Sequence, residues 1–146
     1  TNGDRIRVQG NMKDKKQQHR PADSHVSAEA KMSQMIWEFA GDYIRVGDTF
    51  RERLNFLNDA CSAWNIASEP PGRREASLNR YIIEFRRYNP DADEAELAEQ
   101  RSKLEKLIAR KLEMFPGDTR QIVDARIVLS GDKECIEVKP RTFSGG

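Results

Sequence analysis

KLEMFPGDTRQIVDARIVLSGDKECIEVKP, residues 111 to 140, is where the chain changes its period. Up to Phe115 the apolar residues recur at intervals of three and four, the repeat of a helix with one buried face. Pro116-Gly117 stops that pattern, because proline has no N–H to donate and glycine gives the backbone freedom to turn. Beyond the break Val123, Ala125, Ile127 and Leu129 alternate with Asp124, Arg126 and Val128, the period of a strand with one buried side. Ser130-Gly131-Asp132-Lys133 supplies turn chemistry, Ile136 and Val138 continue a second strand, and Pro140 ends it. The stretch predicts a C-terminal β-hairpin after a run of helices, and hence an α+β fold that is mostly helical.

Toward the N-terminus the same reading gives four amphipathic helices. The last carries Leu97, Leu104, Ile108, Leu112 and Phe115 on its buried face, with Asp91-x-x-Glu94 as its cap and acidic residues in its first turns. The third carries Leu78, Tyr81, Ile82, Phe85 and Tyr88, and Glu69-Pro70-Pro71-Gly72 separates it from the second. The second has the stripe Phe50, Leu54, Leu57, Cys61 and Trp64 behind a Thr49-x-x-Glu52 capping box. The first has Met32, Ile36, Phe39, Tyr43 and Val46, with Gly47 ending it in the left-handed conformation. Residues 27–140 therefore read as a single helical domain with a C-terminal β-hairpin. A flexible basic tail over 1–26 precedes it, and a loose C-terminus over 141–146 follows. No large apolar side chain stands between Lys13 and His25 to offset the entropy of ordering that stretch. Only Arg5-Ile6-Arg7-Val8-Gln9 breaks the tail's character, with a weak alternation of strand type.

Composition narrows the functional classes. A net charge of +1 gives no global field to attract nucleic acid or an acidic substrate, so any such claim rests on local patches. No apolar run approaches the roughly 18 residues that a membrane span needs. The N-terminal residues lack the apolar core of a secretory signal, and the chain has only two cysteines. Together these point to a reducing cytoplasm.

Candidate chemistry is sparse. Cys61 lies in register with Leu57 and Trp64, so it reads as a core residue, without the exposure or neighbouring positive charge that a reactive thiolate needs. The two histidines, His19 and His25, stand in the tail, far from any nucleophile. Carboxylate pairs such as Glu38 with Asp42, and Glu52 with Asp59, lack the helical histidine that usually completes a di-metal bundle site. The nine glycines are scattered and form no phosphate loop. No catalytic, metal-ligating or cofactor-binding residue is expected, and no cofactor; the chain does not read as an enzyme.

What remains are surfaces. Trp37 lies off the main stripe of its helix, and with Tyr88 and Phe143 it is a candidate protein contact, aromatics being enriched at interfaces. Arg73, Arg80 and Arg87 recur every seven residues on one helix face. With Lys13, Lys15 and Lys16 of the tail they form a candidate nucleic-acid footprint, although Glu75 and Glu84 interleave with the arginines. The hairpin raises a separate question, because two strands alone are marginal in water. Its edge can take the Arg5 to Gln9 segment or a strand from another chain. The expectation is a small non-enzymatic accessory or adaptor protein that binds a partner protein or itself. A nucleic-acid-associated protein is the alternative, and no membrane is expected as partner.

Overall fold

A computed structural model describes residues 6–8 and 28–141. Its elements in chain order are β1 (Ile6–Val8), α1 (Ala28–Arg45), α2 (Phe50–Ala67), α3 (Pro71–Tyr88), α4 (Glu94–Met114), β2 (Ile122–Ser130) and β3 (Lys133–Pro140). Four helices followed by an antiparallel hairpin make this a mostly helical α+β protein. β3 is the middle strand of a three-stranded sheet, with β2 antiparallel on one side and β1 parallel on the other. The alternation around Ile6 and Val8 is thus realised as a short third strand against β3. The chain divides into two compact units whose boundary falls inside α2: the described residues up to Asn58 with those from Ile122 onward, and Asp59–Gln121. The tail residues 9–27 and the C-terminal residues 142–146 lie outside the described residues.

In the first unit α1 lies along β3. Met32, Ile36, Phe39, Ala40 and Ile44 of α1 are buried, as are Leu57, Ile127, Ile136 and Val138. Ser33, also buried, accepts a hydrogen bond from the Val138 N–H through its Oγ at 2.8 Å. That donor lies beyond the end of β1, whose last pair is Val8 with Ile136. A side-chain hydroxyl thus satisfies an amide that the short strand leaves over. At the other end of β3, Arg53 of α2 grips Glu134 with two charge-assisted bonds, Nε to Oε1 at 2.7 Å and Nη2 to Oε2 at 2.8 Å. Its remaining nitrogen, Nη1, donates to the Gly47 carbonyl at 3.0 Å, fixing the α1–α2 turn.

In the second unit the C-terminal half of α2, α3, α4 and the segment up to Gln121 enclose Trp64, which is fully buried. The Trp64 indole Nε1–H donates to the Arg120 carbonyl at 2.9 Å, and the Phe115 ring tilts against the indole at 5.7 Å between centroids. Leu78 of α3 and Leu97, Leu104 and Leu107 of α4 complete the apolar interior.

Several expectations need correction, each for a local reason. Gly47 does not end α1 in the left-handed conformation; Gly131 in the hairpin turn is the described glycine with positive φ. Gly47 is needed for closeness instead, since a Cβ there would sit 2.9 Å from Arg53 Cγ. The cap of α4 is Asp93 with Glu96, two residues later than the Asp91–Glu94 pair, because Ala92 N–H is already bonded back to Asn89 in a turn. Val46, Phe50 and Tyr88, placed on buried stripes, are exposed. All three stand at helix ends, where the stripe outruns the surface it covers. Val123 and Leu129 are exposed too. Asp124 pairs with Lys139 while Ile122 pairs with Pro140, so Val123 is an extra residue that shifts the phase and buries Ile122 in its place. Cys135 is buried, like Cys61.

Candidate interaction surfaces

The geometry of the hairpin decides which main-chain groups of β2 are available. Val138 N–H is bonded to Ser33, so Val138 turns its main-chain groups away from β2. Its partner across the ladder is Ala125, which therefore turns its own N–H and C=O outward. By alternation Ile127 and Leu129 do the same. The tight turn at the other end agrees, since Ser130 and Lys133 close a two-residue loop and face each other. β2 is thus an edge strand whose outer side offers the amides and carbonyls of Ala125, Ile127 and Leu129. Among the described residues no strand takes that side. The strand contains no proline, and Leu129 is 68% exposed near its end. The Val123 bulge and the exposed Asp124 and Arg126 blunt the edge at its start, Arg126 being held to Glu137 across the ladder at 3.0 Å.

The basic line of α3 is real as geometry. Arg73, Arg80 and Arg87 are all exposed, and Ala76 and Ile83 lie exposed between them at intervals of three and four. Arg87 has Glu84 within 3.6 Å. Among the described residues Arg73 and Arg80 have no carboxylate partner. Arg74, next in sequence, is partly buried and donates to the Glu69 carbonyl at 3.1 Å, so it belongs to the fold. Lys13, Lys15 and Lys16 lie outside the described residues, as does Phe143.

Of the candidate aromatic contacts, Trp37 is half-buried rather than open. Its ring lies over Gly41, where a Cβ would come within 2.9 Å, and the Arg45 guanidinium sits 5.8 Å from its centroid. Spacing of four along α1 stacks all three. Tyr88 is 78% exposed and borders an open groove of about 360 Å³ with Phe85, Pro90, Asp91 and Glu96. Glu96 already accepts the Asp93 N–H at 2.9 Å as half of the α4 cap.

Two polar groups, one buried and one half-buried, are not evident from residue type. Lys111 of α4 is 1% exposed, its ammonium donating to the Asp118 carbonyl and lying 4.9 Å from the Trp64 ring centroid. Burial pulls it below the ordinary lysine value, with Arg74 adding to the shift and the Asp118 carboxylate opposing it. Asp118 itself is held below the usual carboxylate range by its hydrogen bond from the Arg120 side chain. The second group is a triangle. Tyr81 Oη–H donates to Asp59 Oδ1 at 3.0 Å, and Gln100 Nε2–H reaches both Asp59 Oδ1 at 3.2 Å and Tyr81 Oη at 2.7 Å. Burial first, then the Asp59 charge, push the Tyr81 phenol well above its usual range. The spacing of Lys111 four residues after Leu107 and seven after Leu104 was a readable signal, since it places the lysine on the buried line. In both groups the polar atoms face one another and the core, so they act as structural joints. Among the described residues no cluster of histidine, cysteine, aspartate and glutamate could hold a metal ion, and no helix is long and apolar enough to cross a membrane. No protein family, curated protein or solved structure matches the chain.

Proposed function

We propose that this protein acts by binding another protein chain rather than by catalysis, as an accessory or assembly protein whose β2 edge accepts a strand. The single observation behind this reading is the outward main chain of Ala125, Ile127 and Leu129 on an edge strand of nine residues. Strand addition uses such groups for affinity and neighbouring side chains for specificity; Leu129 and Arg126 are the side chains in place to serve. A second copy of the chain is the first partner to test, and β2 against β2 would join two sheets. A reducing cytoplasm would suit the protein, whose Cys61 and Cys135 are buried and form no disulfide.

The test is a proline at Ala125. Its N–H points away from β3, so the substitution removes an outward donor without removing a ladder bond, the one setting in which a strand tolerates proline. Light scattering on a sizing column should give a multiple of 16.8 kDa for the wild type, or a stable complex with a partner. Ala125→Pro should weaken that association by about tenfold or more at unchanged helicity. In the associated form the Ile127 and Leu129 amides should exchange slowly. Association that is indifferent to Ala125→Pro and leaves those amides fast removes this reading.

Association with nucleic acid is the second reading, favoured by Arg73 and Arg80 standing free of carboxylates among the described residues. Its mark is an affinity that falls steeply as salt rises.

A further inference from the structure

The outward face of α3 carries a second inference, independent of the β2 edge. Arg73, Ala76, Arg80, Ile83 and Arg87 follow one another at three, four, three and four residues, the spacing with which one helix meets another. All five are exposed, and Ile83 at 59% is an exposed aliphatic side chain on an otherwise polar surface. The arginines stand about 10 Å apart along the axis. Two of the three lack a carboxylate among the described residues.

The start of α3 adds a separate argument. Its first turn holds no acidic residue, no side chain caps it, and Arg73 sits there against the positive end of the helix dipole. That placement opposes folding, and residues that break a local rule are commonly kept for function.

We propose that this face docks an amphipathic helix of another protein, one that presents acidic residues at heptad spacing with apolar residues between them. Charge complementarity selects the acids. Ile83 and Ala76 select the apolar residues, and the small Ala76 lets the backbones approach. A phosphate backbone would satisfy the arginines but leave Ile83 uncovered, with Glu84 alongside it. The described helices of a second copy fit it poorly: on α2, Glu52 and Asp59 stand seven apart, but Asp59 is bonded to Tyr81 and Gln100, and on α4, Glu99 and Glu113 stand fourteen residues apart with Lys106 midway between them.

The probe is a labelled helical peptide of about 21 residues, with glutamate at one core position of each heptad and leucine at the other. Its lysine-for-glutamate twin and a mixed-sequence DNA duplex serve as comparators, all titrated against the full chain by fluorescence anisotropy. The glutamate peptide should bind saturably and the lysine twin should not. Arg80→Glu should weaken binding by about tenfold or more, and Ile83→Ser by several-fold even at high salt. Ala125→Pro should leave this binding unchanged, which separates it from the strand-addition reading. Both α3 variants lie on the surface, and circular dichroism checks that they stay folded. No binding of the glutamate peptide overturns the proposal. So does tighter binding of the duplex that ignores Ile83→Ser, which would assign the arginines to nucleic acid.

Discussion

Helices α3 and α4 pack together in one unit and are of similar length, 18 and 21 residues, yet they are built to different ends. α4 begins with a complete capping box, Asp93 and Glu96 each serving the other's backbone, and has Glu94 and Glu96 in its first turn. It buries Leu97, Gln100, Leu104, Leu107 and Lys111 along its length. α3 begins at Pro71 with no side-chain cap and two arginines in place of acids, and buries only Ser77 and Leu78 outright. The first helix satisfies its ends and fills the core. The second is held by a thin inner face and turns a basic, partly apolar line outward. The difference teaches that helical periodicity alone does not rank elements by what they contribute to folding; the ends and the outer face must be weighed as well.

Truncation should break the symmetry most sharply. Leu104→Ala opens a cavity under α4 and should cost about 3 kcal/mol in urea denaturation, whereas Ile83→Ala on the outer face of α3 should stay within about 0.5 kcal/mol. A large loss from Ile83→Ala would mean that the outer face is covered in solution. Next comes the joint between the helices, where Tyr81 of α3 and Gln100 of α4 share Asp59. Tyr81→Phe takes one bond from the half-buried Asp59 and one from the buried Gln100, which keep their bond to each other, and should cost about 1 kcal/mol. It should also change the alkaline limb. The folded phenol keeps its proton after the unfolded one, which titrates near pH ~10, has lost it. The folded state then binds more protons, so stability is intact below that pH and falls above it. Removing the hydroxyl should flatten the decline, seen as a smaller drop in Tm between neutral and alkaline buffer. The cap follows: Asp93→Ala should cost about 1 kcal/mol while Asp91→Ala does little, because only Asp93 accepts the Glu96 N–H.

That last contrast marks how far the sequence could be read. The change of period after Pro116, the four helices and the turn at Gly131 were legible because each is a local signal. The cap was misplaced by two residues, since aspartates stand at both 91 and 93 and only the Asn89 turn decides between them. Lys111 and Gln100 were hidden for another reason. Their residue types predict solvent, and only partners outside α4, Asp118 and Asp59, compensate their burial. The surfaces divide the same way. The arginine line on α3 is a spacing within one helix and was visible at once. The availability of the β2 edge depends on which amides face outward, which the Ser33 to Val138 bond fixes across 105 residues of sequence.

The smallest effect is the one that best sharpens the contrast between the two helices. Arg73→Glu gives α3 the acidic first turn that α4 already has. If Arg73 serves only the fold, removing it should be neutral or harmful. If it opposes the dipole, as its position and lack of a carboxylate partner among the described residues imply, the variant should be more stable by about 0.5 kcal/mol at low ionic strength. The gain should shrink as salt is added, because the interaction is exposed and screened over about 10 Å at moderate salt. Arg74→Glu is the matched control one residue on. Arg74 donates to the Glu69 carbonyl, so its replacement should cancel the dipole gain by losing that bond. Arg73→Glu should at the same time weaken binding of the acidic helix. A variant that folds better and binds worse would show that α3 gives up stability at its start to hold a charge its partner needs; one that folds worse would place Arg73 among the residues that hold the unit together.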